Sequence, residues 1–442
     1  TSVQESSTKW RQCAQAHSFR SPQALFAFYD CTEPQISERR RDMISWRCVP
    51  AIGLALYLVY NELVPTFGPA SGHTWSDALL AIPSKIRWPE PIDFGMFFAY
   101  IAFMAIAGVI LPGRTCPGTP LADGSRLYYK CNGLRVFLLA VIILIISIRS
   151  ESPMALVLYD RHWQIFIVAN VVALSLSTWL YVQGFFNGKG KFTKNAASDW
   201  WSGVELNPHV LGLNLKFFWL RPSMSLWTLI NISVAAKQLL TFGYISTAMS
   251  LYQTFTFIYV FDYFFYEEYM TSTWDIIAEH FGFMLVWGDI VFIPYVFSIQ
   301  SWYLFDPKAS PLRSYQVFLM TGVFSMGYII FRGANGQKHN FKKDPKAFIW
   351  GRPPRLIGGK LLASGYWGIV RHANYTGDIL LALSYSLPCG FRTWVPYAYP
   401  LYLATLLFHR NWRDEKRCAL KYGQVWQDYI KAVPYILIPG IY

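Results

Sequence analysis

The sequence predicts an all-α, polytopic integral membrane protein with about ten transmembrane helices. Three observations carry that prediction. Of its 442 residues, 53% are hydrophobic and only 15% are charged, where a soluble domain averages about 25% charged. The apolar residues fall in long blocks, several of them near the roughly 20 residues that cross a bilayer. The basic residues are also unevenly divided between alternate loops, 30 against 7, which is the positive-inside pattern for cytosolic termini and an even number of spans.

Residues 1–48 read as a polar, basic cytosolic tail. They lack the apolar core of a secretory signal, and Arg39, Arg40 and Arg41 precede the first apolar block as a stop-transfer anchor would. The first eight blocks lie within 49–332, at 49–66, 93–112, 133–150, 164–183, 225–243, 244–266, 276–305 and 314–332. Two shorter ones follow, at 376–391 and 393–409. Each is expected to be helical, because only a helix satisfies its own backbone in lipid. The +13 net charge is mostly topology, and no nucleic-acid partner is expected from it. Seven scattered cysteines without a C-x-x-C pair read as reduced thiols rather than a disulfide framework.

Polar groups inside apolar blocks are costly and default to a functional reading. In the sixth block Tyr259, Asp262, Tyr263 and Tyr266 fall at i, i+3, i+4 and i+7, one helical stripe, and Glu267 extends it. Tyr259, with Asp262 or Glu267 behind it, is a candidate proton source, since burial keeps a carboxyl protonated. An interfacial aromatic belt is the alternative for Tyr266 and Tyr269. The seventh block adds Glu279, His280 and Asp289, but no H-x-x-x-H or H-E-x-x-H spacing accompanies them. No metal site is therefore expected. Asn231, Lys237 and Gln238 read as polar glue between helices.

Residues 333–442 hold the densest polar cluster. The stretch Leu361–Asp378 packs Arg371, His372, Asn374, Tyr375 and Asp378 into eight residues at the edge of an apolar block. If helical, Arg371/Tyr375 and Asn374/Asp378 are i, i+4 pairs. The segment Phe331–Pro345 is expected to be a loop carrying Lys338, Lys342 and Lys343, cations suited to a phosphate. Arg410, Arg413, Asp414 and Arg417 share a face of one helix, where the arginines could hold phosphate and the acid a ribose hydroxyl. Neither G-x-G-x-x-G after a strand nor a P-loop is present. Any nucleotide is therefore expected in a pocket built from helix ends and loops of the C-terminal half.

These blocks resemble the sterol reductase family, which includes sterol Δ14-reductases, 7-dehydrocholesterol reductase and the membrane domain of the lamin B receptor. The resemblance covers about residues 50–442 and rests on Leu361–Asp378, Val433–Tyr442 and Gly203–Pro208. Within the family, Phe281–Asp289 and Phe331–Lys338 look closer to the Δ14-reductases, and Trp227–Gln238 closer to the Δ7-reductase. Departures occur at His209 and Lys342, where the family carries Arg, and at Tyr366 and Ala373, where it carries Trp and Pro.

The resemblance implies a ten-span enzyme of the endoplasmic reticulum membrane with both termini cytosolic. It implies NADPH as reductant and a sterol, a Δ8,14-diene for a Δ14-reductase, as substrate, with membrane lipid around it. It also places Tyr259 near the reacting double bond. Cofactor contacts carried over are Lys338, Lys342, Trp367, Asn374, Arg410, Asp414, Tyr422 and Tyr429. To these the local cluster adds Asn335, Arg371, His372, Tyr375 and Asp378. Asp414 is also a candidate catalytic acid. Two other readings stay open from the residues alone. One is an isoprenylcysteine carboxyl methyltransferase, which shares the pattern Arg371-His-x-Asn-Tyr-x-Gly. The other is a sterol-binding membrane protein without turnover.

Overall fold

The computed structural model describes residues 87–120, 125–193 and 195–441. The predicted tail 1–48 and first span 49–66 lie outside the described residues. Within them the chain is mostly helical, with three two-stranded hairpins. Helix α1 spans Pro91–Ile110, and strands β1 (Arg114–Pro120) and β2 (Arg126–Cys131) form an antiparallel hairpin. There follow α2 (Gly133–Arg149), α3 (Val157–Asp160), α4 (His162–Phe186), α5 (Leu215–Phe242) and α6 (Thr247–Phe265). Helix α7 (Phe283–Trp287) runs into a π-helix, Gly288–Val296, and then α8 (Ile299–Tyr303). The C-terminal part holds α9 (Ser314–Lys343), α10 (Ala373–Ser386), α11 (Ala398–Tyr422) and α12 (Gln424–Ala432).

Local chemistry sets these bounds. The Asn214 side chain accepts from the Phe217 N–H at 2.9 Å and caps α5, and Gly243, at φ 80°, closes its other end. Ser246 caps α6 by accepting from the Met249 N–H at 3.2 Å. Four helical segments are long and apolar enough to cross a membrane: Pro91–Ile110, His162–Phe186, Phe283–Tyr303 and Ser314–Lys343. The bent pair Gly133–Arg149 and Pro153–Asp160 makes a fifth if it acts as one span. Their outer faces expose Phe98, Ile106 and Val109 on α1 and Ile142, Ile145 and Ile146 on α2, an apolar belt suited to lipid.

Other predicted spans coincide with α5, α6, α10 and α11; α10 has only 14 residues, and the other three carry polar groups along their length. For α5 the setting of those groups is visible. It is buried along most of its length, so Asn231 and Gln238 face protein: Gln238 donates to the Leu304 and Phe305 carbonyls at 2.7 and 2.9 Å.

Three expectations change. The segment predicted as the loop Phe331–Pro345 is the last turns of α9, which runs to Lys343 and ends before Pro345. The predicted span 276–305 is broken: a helical turn ends at Ile277, helix resumes only at Phe283, and the centre is a π-helix containing Pro294. Helix α10 begins at Ala373, so Asn374 and Asp378 share a helical face but Arg371 lies outside it.

Helices α9 and α10 touch backbone to backbone. A Cβ at Gly377 would strike the backbone of Phe331, and one at Gly327 would come within 2.9 Å of Leu380 Cβ. That approach sets which side of α10 turns toward α6.

Candidate functional site

The site is built from α6, α9, α10 and α11. On α6, the Tyr259 ring lies 6.2 Å from Trp227, 6.3 Å from Phe331 and 5.8 Å from Tyr385. These aromatic rings surround its own ring. The carboxyl beside Tyr259 is Asp378, one turn along α10 from Asn374, close enough for the two side chains to act on each other. Asp378 Oδ1 is buried and unpartnered among the described residues, as is the Tyr385 hydroxyl. Tyr385 follows Asp378 by seven residues, the same helical face; that spacing was a signal for it that went unread.

Asp262 and Glu267, expected as acids behind Tyr259, are instead held in ion pairs. Asp262 is paired with Arg332 of α9 and accepts from the Tyr328 hydroxyl at 2.8 Å. Arg332 also lies over the Tyr266 ring, 4.1 Å from its centroid. Glu267 accepts from Arg221 Nε at 2.7 Å and from the Gly133 N–H at 2.8 Å, at the N-terminus of α2. Both carboxylates are thereby committed to joining helices.

Beyond Asp378 lies a polar cluster. Asp378, Arg410, Asp414 and Asp275 all act electrostatically on Tyr375, whose ring stacks on His372 at 4.7 Å. The Lys338 ammonium lies 4.3 Å from the centroid of the Trp367 ring. Its side chain keeps contact with solvent while protein surrounds it closely. Depth governs its titration: burial draws the Lys338 amine below its usual range, and Asp414 opposes that shift. Lys342 is lowered by burial and then by the like charges of Lys338 and Lys421. His372 is pushed down to about 3 by burial, then by Lys338 and Arg371, so it is neutral at physiological pH.

Asn374 Oδ1 and Asn411 Oδ1 are buried without partners among the described residues. Buried amide oxygens in that state cost free energy unless a ligand donor or water reaches them. Asn335 sits one turn before Lys338 on α9, partly buried. Trp367 is fixed by its indole N–H to the Ala334 carbonyl at 2.9 Å, and the Tyr429 hydroxyl donates to the Trp367 carbonyl at 3.3 Å. Tyr422 packs beside Trp426 and Tyr429 as part of the same wall.

Arg371 is not free for a phosphate. It donates to the Val433 and Pro434 carbonyls at 2.9 and 2.7 Å and pairs with Glu415 at 2.7 Å. Its backbone N–H donates to Tyr435 and that of His372 to Ile436. Its role is to tie the C-terminal strip to the wall.

Sequence reasoning missed a brace behind the cluster. Arg410 pairs with Asp275 at 3.0 Å and Arg413 with Glu279 at 3.4 Å. That segment is held by buried Lys216, which donates to the Ile276 and Glu279 carbonyls at 2.8 and 2.7 Å. Asn411, inside the Arg410–Arg413 turn, was legible from its neighbours; Lys216 carried no local signal. Among the described residues no group of three or more His, Cys, Asp or Glu could hold a metal ion.

The profile of the "Ergosterol biosynthesis ERG4/ERG24 family" matches residues 73–442. A Delta(14)-sterol reductase of Arabidopsis thaliana is 48% identical over 349 residues, covering 78% of this chain and 94% of the relative. One from Methylotuvimicrobium alcaliphilum is 39% identical over 355 residues, 79% of this chain and 83% of the relative. A probable 7-dehydrocholesterol reductase of Acanthamoeba polyphaga mimivirus is 37% identical over 337 residues, 72% of this chain and 74% of the relative.

Proposed function

The chain belongs to the ERG4/ERG24 sterol reductase family, and from that premise we propose that it reduces the C14 double bond of a Δ8,14-sterol with NADPH. The single observation that carries the mechanism is the contact between Asp378 and Tyr259, at the junction of an aromatic enclosure and a cationic cluster. The proposed setting is the endoplasmic reticulum membrane, with ten spans and both termini cytosolic. Residues 49–332 would then supply the sterol-facing helices and 333–442 the cofactor-binding part.

The residues fit a phosphorylated dinucleotide. Lys338 and Lys342 stand close enough to repel one another, a cost that a phosphate would relieve. The open Asn374 and Asn411 oxygens are acceptors for amide or hydroxyl donors. Trp367, Tyr422 and Tyr429 supply a wall, and Asp414, beside Lys338 and Tyr375, is placed to accept from a ribose hydroxyl. Bound NADPH supplies the hydride.

The chain's own residues handle the proton. The ring diene carries no polarising group, so protonation must precede hydride addition. Tyr259 donates its phenolic proton to the alkene, leaving a tertiary cation at C14, and Asp378 returns a proton to Tyr259. The faces of Trp227 and Tyr385 lie where they can steady that cation by their quadrupoles. Asp262 and Glu267 keep the helices in register.

Purified protein given a Δ8,14-sterol and NADPH should consume nicotinamide absorbance and yield a sterol heavier by two hydrogens. Reduction of a Δ7-sterol instead would support the second reading, which the Trp227–Gln238 segment and the mimivirus relative favour. No reduction of either would support a binding protein without turnover. Family membership removes the methyltransferase alternative.

A further inference from the structure

We propose that the turn Phe348–Arg352 is an interfacial anchor that seats on an anionic phospholipid leaflet at the end of α9. Residues 314–331 of α9 carry no charge; at about 1.5 Å per residue they cover roughly 27 Å, close to a hydrocarbon core. Arg332 therefore marks the boundary, and Ala334 lies just past it. The chain continues outward to Lys343 and then folds back, for Ile349 is buried in one cluster with Ala334, Trp367 and Ala373. The turn is thus returned to headgroup depth.

Its tip is built at a cost. Ile349 and Arg352 exchange backbone hydrogen bonds at 2.8 and 3.1 Å, leaving Trp350 and Gly351 as the two central residues, with φ of 50° and 74°. Two positive φ values in a two-residue turn favour Asn-Gly, and a bulky side chain in the first position is strained. Folding gains little from the indole, which is 61% exposed beside Phe348 at 70%. Around this aromatic tip stand exposed Lys343, Lys346, Arg352, Arg355 and Lys360, with Asp344 the single acid between 343 and 360.

Exposed Trp and Phe ringed by cations, held at headgroup depth, complement an anionic lipid surface. Seating would also brace the cofactor wall. Trp350 meets the Tyr366 ring edge-on at 5.1 Å, Tyr366 packs on Gly333, and the adjacent Trp367 faces Lys338. The inference rests on α9 crossing the bilayer and is independent of which sterol is reduced.

Hydrogen exchange of the full chain in nanodiscs tests it, comparing phosphatidylcholine alone with phosphatidylcholine plus phosphatidylserine. Amides of 346–360 should exchange at least about tenfold more slowly in the anionic bilayer, as several cations near a charged surface require, and high salt should cancel the difference. Trp350→Asn, which suits the turn better, should fold and lose that slowing. The triple variant Lys346→Glu, Arg352→Glu, Arg355→Glu should lose the preference for anionic lipid. Equal exchange in the two bilayers, or slowing that survives Trp350→Asn, would overturn the proposal.

Discussion

Two buried carboxylates on neighbouring helices face opposite fates. Glu267 is closed: Arg221 and the Gly133 N–H occupy both its oxygens. Asp378 is open: one oxygen has no partner among the described residues while Tyr259 sits beside the carboxyl. By sequence Asp378 lies inside a predicted span and Glu267 at the end of one. The difference teaches that burial alone does not mark a working acid; the state of its second oxygen does. A filled carboxylate is a rivet between helices, whereas an unfilled one can pass a proton.

The sharpest way to break this contrast is to neutralise each acid. Asp378→Asn should cut sterol turnover by about 10²–10⁴-fold, the usual worth of a positioned proton donor, while NADPH binding, read by fluorescence titration, persists. Full turnover in that variant would return the proton to another group. Tyr259→Phe should behave alike. Glu267→Gln should act on the fold instead. Stranding Arg221 costs about 3–5 kcal/mol, measurable as a lower melting temperature in detergent, with near-normal activity per folded molecule.

A smaller effect sharpens the open side of the comparison. Lys338→Ala should weaken NADPH binding by about 1.5–3 kcal/mol, the range for a charge-assisted bond, and NADH much less. Because burial lowers the Lys338 pKa, its charge is present below that value and lost above it. Affinity for NADPH should therefore decline at a lower pH than an ordinary lysine would dictate, with NADH affinity flat.

The smallest effect concerns the brace. Burial lowers Lys216 to about 7 from 10.5, with Asp275, Glu279 and Asp289 opposing. Between those values the unfolded chain binds more protons than the folded one, so stability should rise with pH across that window. Lys216→Met should flatten that slope in thermal melts at several pH values.

Much of this was legible beforehand, and the gaps have physical causes. Apolar block length found α1, α4 and α9, because hydropathy and helix length are the same constraint in lipid. It could not find the π-helix at Gly288–Val296, since the apolar run reads the same whatever its hydrogen-bond ladder. The β1–β2 hairpin escaped because Pro117, Gly118 and Pro120 look like loop. In the site, Lys338, Asn374 and Arg410 stood out by density and by resemblance. Which acid meets Tyr259 did not. That depends on how α10 is rotated against α6, and the rotation is set by the Gly377–Phe331 contact between segments far apart in sequence. Arg371 misled for a related reason: its partners Val433 and Pro434 lie 62 and 63 residues away.

That last separation has a bearing on biosynthesis. Arg371 leaves the ribosome well before the carbonyls that fasten it, so the nascent pocket stays unlaced until residues 433–436 emerge. A chain halted anywhere between residues 372 and 432 would therefore lack the carbonyls that fasten Arg371, and its wall would stay unlaced.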